Sequence, residues 1–230
     1  DEDGNEYAVE NPEYARKRRK ELYSLLLKKS NIPDFYHDIE FKDYRGNKDS
    51  EEFKKIVYYA ENCYKDEFKH SHLYLYGNHS TQKTALACNI LKEAMRNGMR
   101  GKFILAGTLI DKLMKLQGFN HDEELYEEIK ELSTVDILVC DDAFDVQKSI
   151  MWKTESRNMI ICEWDRFLRD LVSRGTRVIL TSNFAKEPIK EHYGDSLHEL
   201  IDRNFIFLHL VDSVKSHRKM DLEKIFKDMK

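Results

Sequence analysis

From residue 71 onward the sequence alternates short β-prone runs with stretches of helical periodicity, and this alternation limits the fold more than any other feature. The runs are Leu73-Tyr74-Leu75-Tyr76, Phe103-Ile104-Leu105, Val135-Asp136-Ile137-Leu138-Val139-Cys140, Arg177-Val178-Ile179-Leu180-Thr181 and residues 205–210. Between them lie helical patterns over 83–96, closed by Asn97-Gly98, then over 108–116, 122–132, 158–173 (ended by Gly175) and 197–202. Repeated β-α units cannot pair as hairpins. They require a parallel sheet covered by helices on both faces, an α/β fold.

Two further helices precede this region. Pro12 can open one over 12–29 with Leu22, Leu25 and Leu26 on one face, and Ser30-Asn31-Ile32-Pro33 stops it. Asp49-Ser50 then caps a second over 51–64, with Phe53, Ile56, Val57 and Ala60 at helical spacing. The first helix carries Arg16-Lys17-Arg18-Arg19-Lys20, which reads as a solvated face or as a nucleic-acid or partner contact. Residues 1–12 are acidic and turn-rich and are expected to fray. The organisation expected is a basic helical extension over 1–30 and one α/β domain over 31–230, a length that one core supports.

Composition narrows the classes. With 41% apolar and 35% charged residues the chain is globular rather than disordered. A net charge of −4 gives no general attraction to DNA, so any nucleic-acid contact must come from local patches. Cys63, Cys88, Cys140 and Cys162 are widely spaced with no CxxC pair, as buried free thiols in a reducing compartment would be. No apolar run reaches the roughly 18–20 residues that span a bilayer, and no signal-peptide pattern opens the chain, so no membrane contact and a cytoplasmic location are expected. The chain begins without Met, in keeping with removal of an N-terminal segment.

Three of the strand ends carry chemistry. Gly77-Asn78-His79-Ser80-Thr81-Gln82-Lys83-Thr84 lies between a strand and a helix and follows the phosphate-binding pattern GxxxxGK[ST], with Gln82 where the second glycine stands. In that pattern backbone N–H groups and the helix N-terminus wrap phosphates, Lys83 pairs with the β- and γ-phosphates of ATP, and the Thr84 hydroxyl binds Mg²⁺. Gln82 costs roughly 1 kcal/mol where glycine would be free, so the loop either absorbs it or binds nucleotide weakly. The second end is Asp141-Asp142 after the apolar run 135–140. Asp141 suits the Mg²⁺ ligand, and Asp142 the group that orients or deprotonates the attacking water; alone, the pair also reads as polar residues ending a strand. The third is Thr181-Ser182-Asn183, where Asn183 suits a polar contact to the γ-phosphate. In an open α/β sheet such ends share one crevice. Arg203 and Arg218 flank the last strand, either as charges for a transferring phosphoryl group or as surface residues paired with carboxylates.

These residues resemble the DnaC/DnaI/IstB group of AAA+ ATPases, the replicative helicase loaders and their transposition relatives. The likeness runs over about 30–220. It includes Ser30-Asn31-Ile32-Pro33, Tyr36, Phe41 and Tyr44, the phosphate loop, Asp141-Asp142 and Thr181-Ser182-Asn183-Phe184. It continues through Tyr193-Gly194, Leu200-Ile201-Asp202-Arg203 and Ser216-His217-Arg218. The resemblance implies a five-stranded sheet in the order 5-1-4-3-2, ATP/ADP and Mg²⁺ as ligands, Arg203 as an arginine finger acting on a neighbouring subunit, and Arg218 as the sensor 2 residue. It implies an ATP-dependent homo-oligomer that delivers a DnaB-type ring helicase to single-stranded DNA in the bacterial cytoplasm, with Lys102, Lys112 and Lys115 as DNA contacts. The small size and Gln82 suit a phage version, and Asp142, shorter than the usual Glu, suits slow hydrolysis. An IstB-type transposition helper would share every motif, and a non-hydrolysing P-loop interaction module stays open because of Gln82. The family's separate helicase-binding domain has only the segment before residue 30 to stand for it here.

Overall fold

The structure, a computed structural model, describes residues 12–117, 122–144 and 154–211. Along the chain these form α1 (Pro12–Lys29), α2 (Glu51–Asn62), β1 (His72–Tyr76), α3 (Lys83–Arg96), β2 (Gly101–Leu105), α4 (Ala106–Leu116) and α5 (Glu123–Thr134). Then follow β3 (Ile137–Asp141), α6 (Thr154–Arg174), β4 (Arg177–Ser182), α7 (Glu187–Tyr193), α8 (Asp195–Asn204) and β5 (Phe205–His209). Single 3₁₀ turns lie at Asp34–Tyr36, Phe41–Asp43 and Asp66–Phe68.

The five strands make one parallel sheet in the order β2-β3-β4-β1-β5, which is the expected 5-1-4-3-2 read from the other edge. Side chains alternate across it with the period of two that strands impose. Leu73, Leu75, Phe103, Val139, Ile179 and Leu208 join one core with α2 and α3. Tyr74, Ile104, Leu138, Cys140, Val178 and Leu180 join the other, with apolar side chains of α4 through α8 and Trp164 fully enclosed. The central strands β1, β3 and β4 are covered on both faces, so they read as continuous apolar runs.

Local chemistry sets the boundaries. Ser50 caps α2 by accepting the Phe53 N–H at 3.2 Å, and Asp122 caps α5 by accepting that of Leu125 at 3.0 Å. The third strand starts at Ile137 rather than Val135. Asp136 turns aside to bridge the Arg100 backbone, its carboxylate accepting the Arg100 N–H at 2.7 Å while its own N–H donates to the Arg100 carbonyl. Helix α1 departs from its expected face. Tyr23, Leu26 and Leu27 lean on the α2/α3 core, whereas Leu22 and Leu25 are 44% and 50% exposed, because the 23/26/27 stripe is the one facing α3. Helix α7 was not expected, although Pro188 in its first turn is the usual opening signal.

Cys63, Cys88 and Cys140 are buried and Cys162 is exposed, all four as free thiols; burial pushes the Cys63 thiol up to about 12. Among the described residues no helix is long and apolar enough to cross a membrane. The segment expected to fray, apart from Pro12, lies outside the described residues, as does Arg218 with its Ser216-His217 neighbours.

Candidate functional site

At the carboxyl end of β1 the chain must pass under β5. Leu210 donates its N–H to the Tyr76 carbonyl at 2.7 Å, and a Cβ on Gly77 would meet the Leu210 carbonyl oxygen at 2.1 Å. Only glycine fits, and its φ of 149° begins the loop. The loop then turns through Ser80 (φ 67°) and Gln82 (φ 63°), both left-handed, and Gln82 becomes the N-cap residue of α3. Its backbone adopts the conformation that favours glycine, at a cost of roughly 1 kcal/mol. Its side chain supplies an offset, because Oε1 accepts the Arg45 N–H at 2.9 Å. The missing glycine is absorbed, and the carboxamide ties the loop to a segment 37 residues earlier.

Lys83 follows directly. Its Nζ donates to the Gly77 carbonyl at 2.8 Å, the Asn78 carbonyl at 2.9 Å and Thr81 Oγ1 at 3.3 Å. Burial lowers its pKa, and the nearby Asp142 and Asp141 oppose that shift. The adjacent Thr84 hydroxyl reaches across to β3, donating to Asp141 at 2.9 Å from Oδ1 and 3.2 Å from Oδ2. From the strand on the other side, Thr181 Oγ1 donates to Asp141 Oδ1 at 2.6 Å and accepts the Asp142 N–H at 3.1 Å. Asp141 is buried, and desolvation raises its pKa against the pull of the two hydroxyls; Asp142 adds to the rise. Asp142 itself has a left-handed φ of 53°.

These groups meet at a cavity of about 400 Å³. It is lined by Phe35, Tyr36, residues 79–85, Asp142 and Asn183. The structure therefore brings together His79, Ser80, Thr81, Gln82, Lys83, Thr84, Asp142 and Asn183, with Asp141 bonded to Thr84 and with Gly77 and Asn78 holding the lysine. Gln82 lines the space rather than filling it. The donor set is selective in kind. A helix N-terminus with an enclosed ammonium fits a polyanion. A hydroxyl beside a buried carboxylate supplies the hard oxygen donors that Mg²⁺ takes.

Other expected residues lie apart. Arg203 is on the exposed surface of α8, where it pairs with Glu199 at 2.5 Å, and it does not line this cavity. Lys102 pairs with Glu131 at 3.0 Å and Lys112 with Glu128, so α5 engages both, while Lys115 is exposed. Three contributors were not singled out. Phe35 forms part of the wall, Thr181 holds the Asp141 carboxylate and the Asp142 backbone N–H, and Arg45 anchors Gln82. Thr181 stood in the Thr-Ser-Asn run, and its place before the polar turn was the available signal. Phe35 and Arg45 lie far away in sequence and gave none.

Against known proteins, the sequence matches a family model described as IstB-like ATP binding protein over residues 3–219. No curated protein matches the chain significantly. Among solved structures, it is similar to a crystal structure of the DnaC helicase loader, with 17% identity and a TM-score of 0.62, covering 77% of this chain and 99% of that one. It is similar to DnaI, also at 17% identity, with a TM-score of 0.61 and coverage of 79% and 95%. A third is the replication initiator DnaA bound to AMPPCP and single-stranded DNA, at 18% identity and a TM-score of 0.60. That match covers 84% of this chain and 56% of the DnaA chain, so about half of that larger protein has its counterpart here. At these identities the structural likeness speaks to fold.

Proposed function

We propose, from the premise that this chain belongs to the IstB-like ATP binding protein family, that it is an ATP-controlled AAA+ loader that delivers a DnaB-type ring helicase to single-stranded DNA. The observation that carries the ATP part is the convergence of Lys83, Thr84, Asp142 and Asn183 on one cavity from three separate strand ends, with Asp141 bonded to Thr84.

The residues divide the work as follows. The loop amides and the N-terminus of α3 bind the triphosphate, and Lys83 exchanges its carbonyl partners for phosphate oxygens. Thr84 and Asp141 would hold Mg²⁺, which when bound supplies positive charge against the phosphate oxygens. Asp142, aimed by the Thr181 hydroxyl on its backbone, orients or deprotonates the attacking water, and Asn183 faces the far end of the triphosphate. Phe35 and Tyr36 form the aromatic side of the cavity and take the base. Arg203, exposed on α8, is free to swing from Glu199 toward a neighbouring subunit's site and couples hydrolysis to assembly; Arg218 is the sensor 2 counterpart. Nucleic acid meets the run Arg16-Lys17-Arg18-Arg19-Lys20 on α1, an exposed basic patch, rather than Lys102 or Lys112, which carboxylates already engage.

A second reading has the family match behind it, since that family is named for IstB: a transposition helper ATPase acting on duplex DNA. The test is one set of measurements. The loader reading expects ATP hydrolysis stimulated by single-stranded DNA and ATP-dependent co-purification with a DnaB-type helicase. Sequence-tolerant, ATP-dependent duplex binding with no helicase contact would favour the transposition helper. ATP binding without turnover in any of these would leave a non-hydrolysing interaction module.

A further inference from the structure

Helix α3 carries a second buried lysine two and a half turns beyond Lys83. Lys92 is fully enclosed at 0% exposure, an uncommon place for an ammonium. It does not reach the phosphate side of the cavity. Its Nζ donates instead to the carbonyl oxygens of Tyr36 (2.8 Å), His37 (3.2 Å) and Ile39, using the three donors an ammonium has. Its nearest carboxylate, Glu40, stands 3.8 Å away and pairs more closely with Arg96 at 2.5 Å. Burial lowers the Lys92 pKa and Glu40 opposes that shift.

The segment so held is the aromatic wall of the cavity. Phe35 and Tyr36 pack edge to face at 5.3 Å and both line the space that Lys83 and Thr84 line from the other side. Within the wall, short-range bonds run from the Tyr36 N–H to the Pro33 carbonyl, from the His37 N–H to the Asp34 carbonyl, and between the His37 ring and the Ile32 carbonyl at 2.9 Å. Those fix its own turn but not its distance from α3. Lys92, the Arg96–Glu40 pair and the Gln82–Arg45 bond are long-range hydrogen bonds that do, spanning 53 to 56, 56 and 37 residues respectively. A methionine would fill much of the same volume yet leave three carbonyls without this donor, which loosens the hold of α3 on the wall.

We propose that Lys92 is a positioning residue for base recognition: it docks the Tyr36–Ile39 carbonyls onto α3 and so sets how Phe35 and Tyr36 close on the purine of ATP. This rests on the reading of the cavity as a nucleotide site. Lys92 touches no nucleotide, and its effect passes through the wall alone. Its loss therefore weakens ligands that have a base and spares those that are only phosphate.

The test compares Mg²⁺–ATP with Mg²⁺–tripolyphosphate, which lacks base and ribose, by calorimetric titration of the full chain. Wild type should bind ATP more tightly than tripolyphosphate. Lys92→Met should weaken ATP about tenfold and leave tripolyphosphate within about twofold. Tyr36→Ala should show the same pattern, and the double variant should lose little more than either single one, as residues acting through one wall do. If Lys92→Met fails to fold, Lys92→Gln, which keeps two donors, should give the same selective loss at about threefold. An equal loss for both ligands, or no loss for either, would overturn the inference and leave Lys92 a purely structural group. A wild type that binds neither ligand would overturn the nucleotide reading itself, and the inference with it.

Discussion

The two ends of the parallel sheet bury polar groups in opposite ways. At the amino end His72 is fully enclosed at the start of β1, its Nδ1 accepting the Val178 N–H at 3.2 Å, and Arg177 at the start of β4 donates to the Lys65 carbonyl at 2.9 Å. Those groups serve the backbone of their own neighbourhood. At the carboxyl end Lys83, Thr84, Asp141 and Asp142 cluster at a cavity, and three non-glycine residues there, Ser80, Gln82 and Asp142, take left-handed backbone angles. Strained backbone around a cavity lined by polar groups marks a place built for a ligand, whereas polar side chains turned onto neighbouring backbone, away from any such cavity, mark a place built for stability. Substitutions should therefore separate: changes at one end should move binding, and changes at the other should move folding.

The largest effect belongs to Lys83. Lys83→Ala would leave the triphosphate charge without its buried partner, and Mg²⁺–ATP affinity should fall about a thousandfold by calorimetry, with little change in thermal stability. A large drop in melting temperature with affinity preserved would erase the contrast between the ends.

His72 gives the converse. Burial, helped by the positive charge of His70 and Arg177, lowers its pKa to about 4 from an ordinary 6.5. The unfolded chain then binds a proton that the folded one refuses, so stability is full above pH 6.5 and is lost as pH falls toward 4. That loss amounts to about 3 kcal/mol. Urea unfolding at pH 7.5 and pH 4.5 should show this slope in wild type and not in His72→Asn, while ATP affinity at pH 7.5 is the same in both. An unchanged slope would place the acid sensitivity elsewhere.

Asp141→Asn comes next. It keeps the acceptor for Thr84 and Thr181 but removes the charge, so the gain in ATP affinity that Mg²⁺ gives should shrink about tenfold or more, while affinity in EDTA is preserved. The smallest effect is at Gln82. Gln82→Gly relieves left-handed strain but deletes the bond to Arg45, two terms of about 1 kcal/mol each and of opposite sign, so stability should change by less than about 1 kcal/mol. A larger loss would show that the Arg45 tie outweighs the strain.

The same contrast explains what the sequence made legible. The sheet and its helices could be read because enclosed strands are bare apolar runs, and the capping residue Ser50 announces its helix. The strand-end groups could be read because Gly77 and Asp141 follow directly on such runs, Asn183 closes the polar turn after another, and Lys83 stands at the fixed spacing of the phosphate loop. What could not be read is what reaches the site from a distance. Phe35 and Tyr36 belong to a 3₁₀ turn about 40 residues before the phosphate loop, and only tertiary packing brings them to it. Lys92 sits where helical periodicity gives an ordinary apolar-face position, and its three carbonyl partners are invisible in one dimension. The ion pairs of the lysines offered as DNA contacts were hidden for the same reason, since Glu128 and Glu131 approach Lys112 and Lys102 from a separate helix.

The measurement that bears most directly on the account is a crystal structure of the chain with Mg²⁺ and the non-hydrolysable analogue AMPPCP. The account predicts that Lys83 Nζ leaves the Gly77 and Asn78 carbonyls for phosphate oxygens, with Thr84 and Asp141 facing the cation and the base against Phe35 and Tyr36. A structure in which Lys83 keeps its carbonyl partners, and the Gln82 side chain stands where the phosphates should lie, would contradict it.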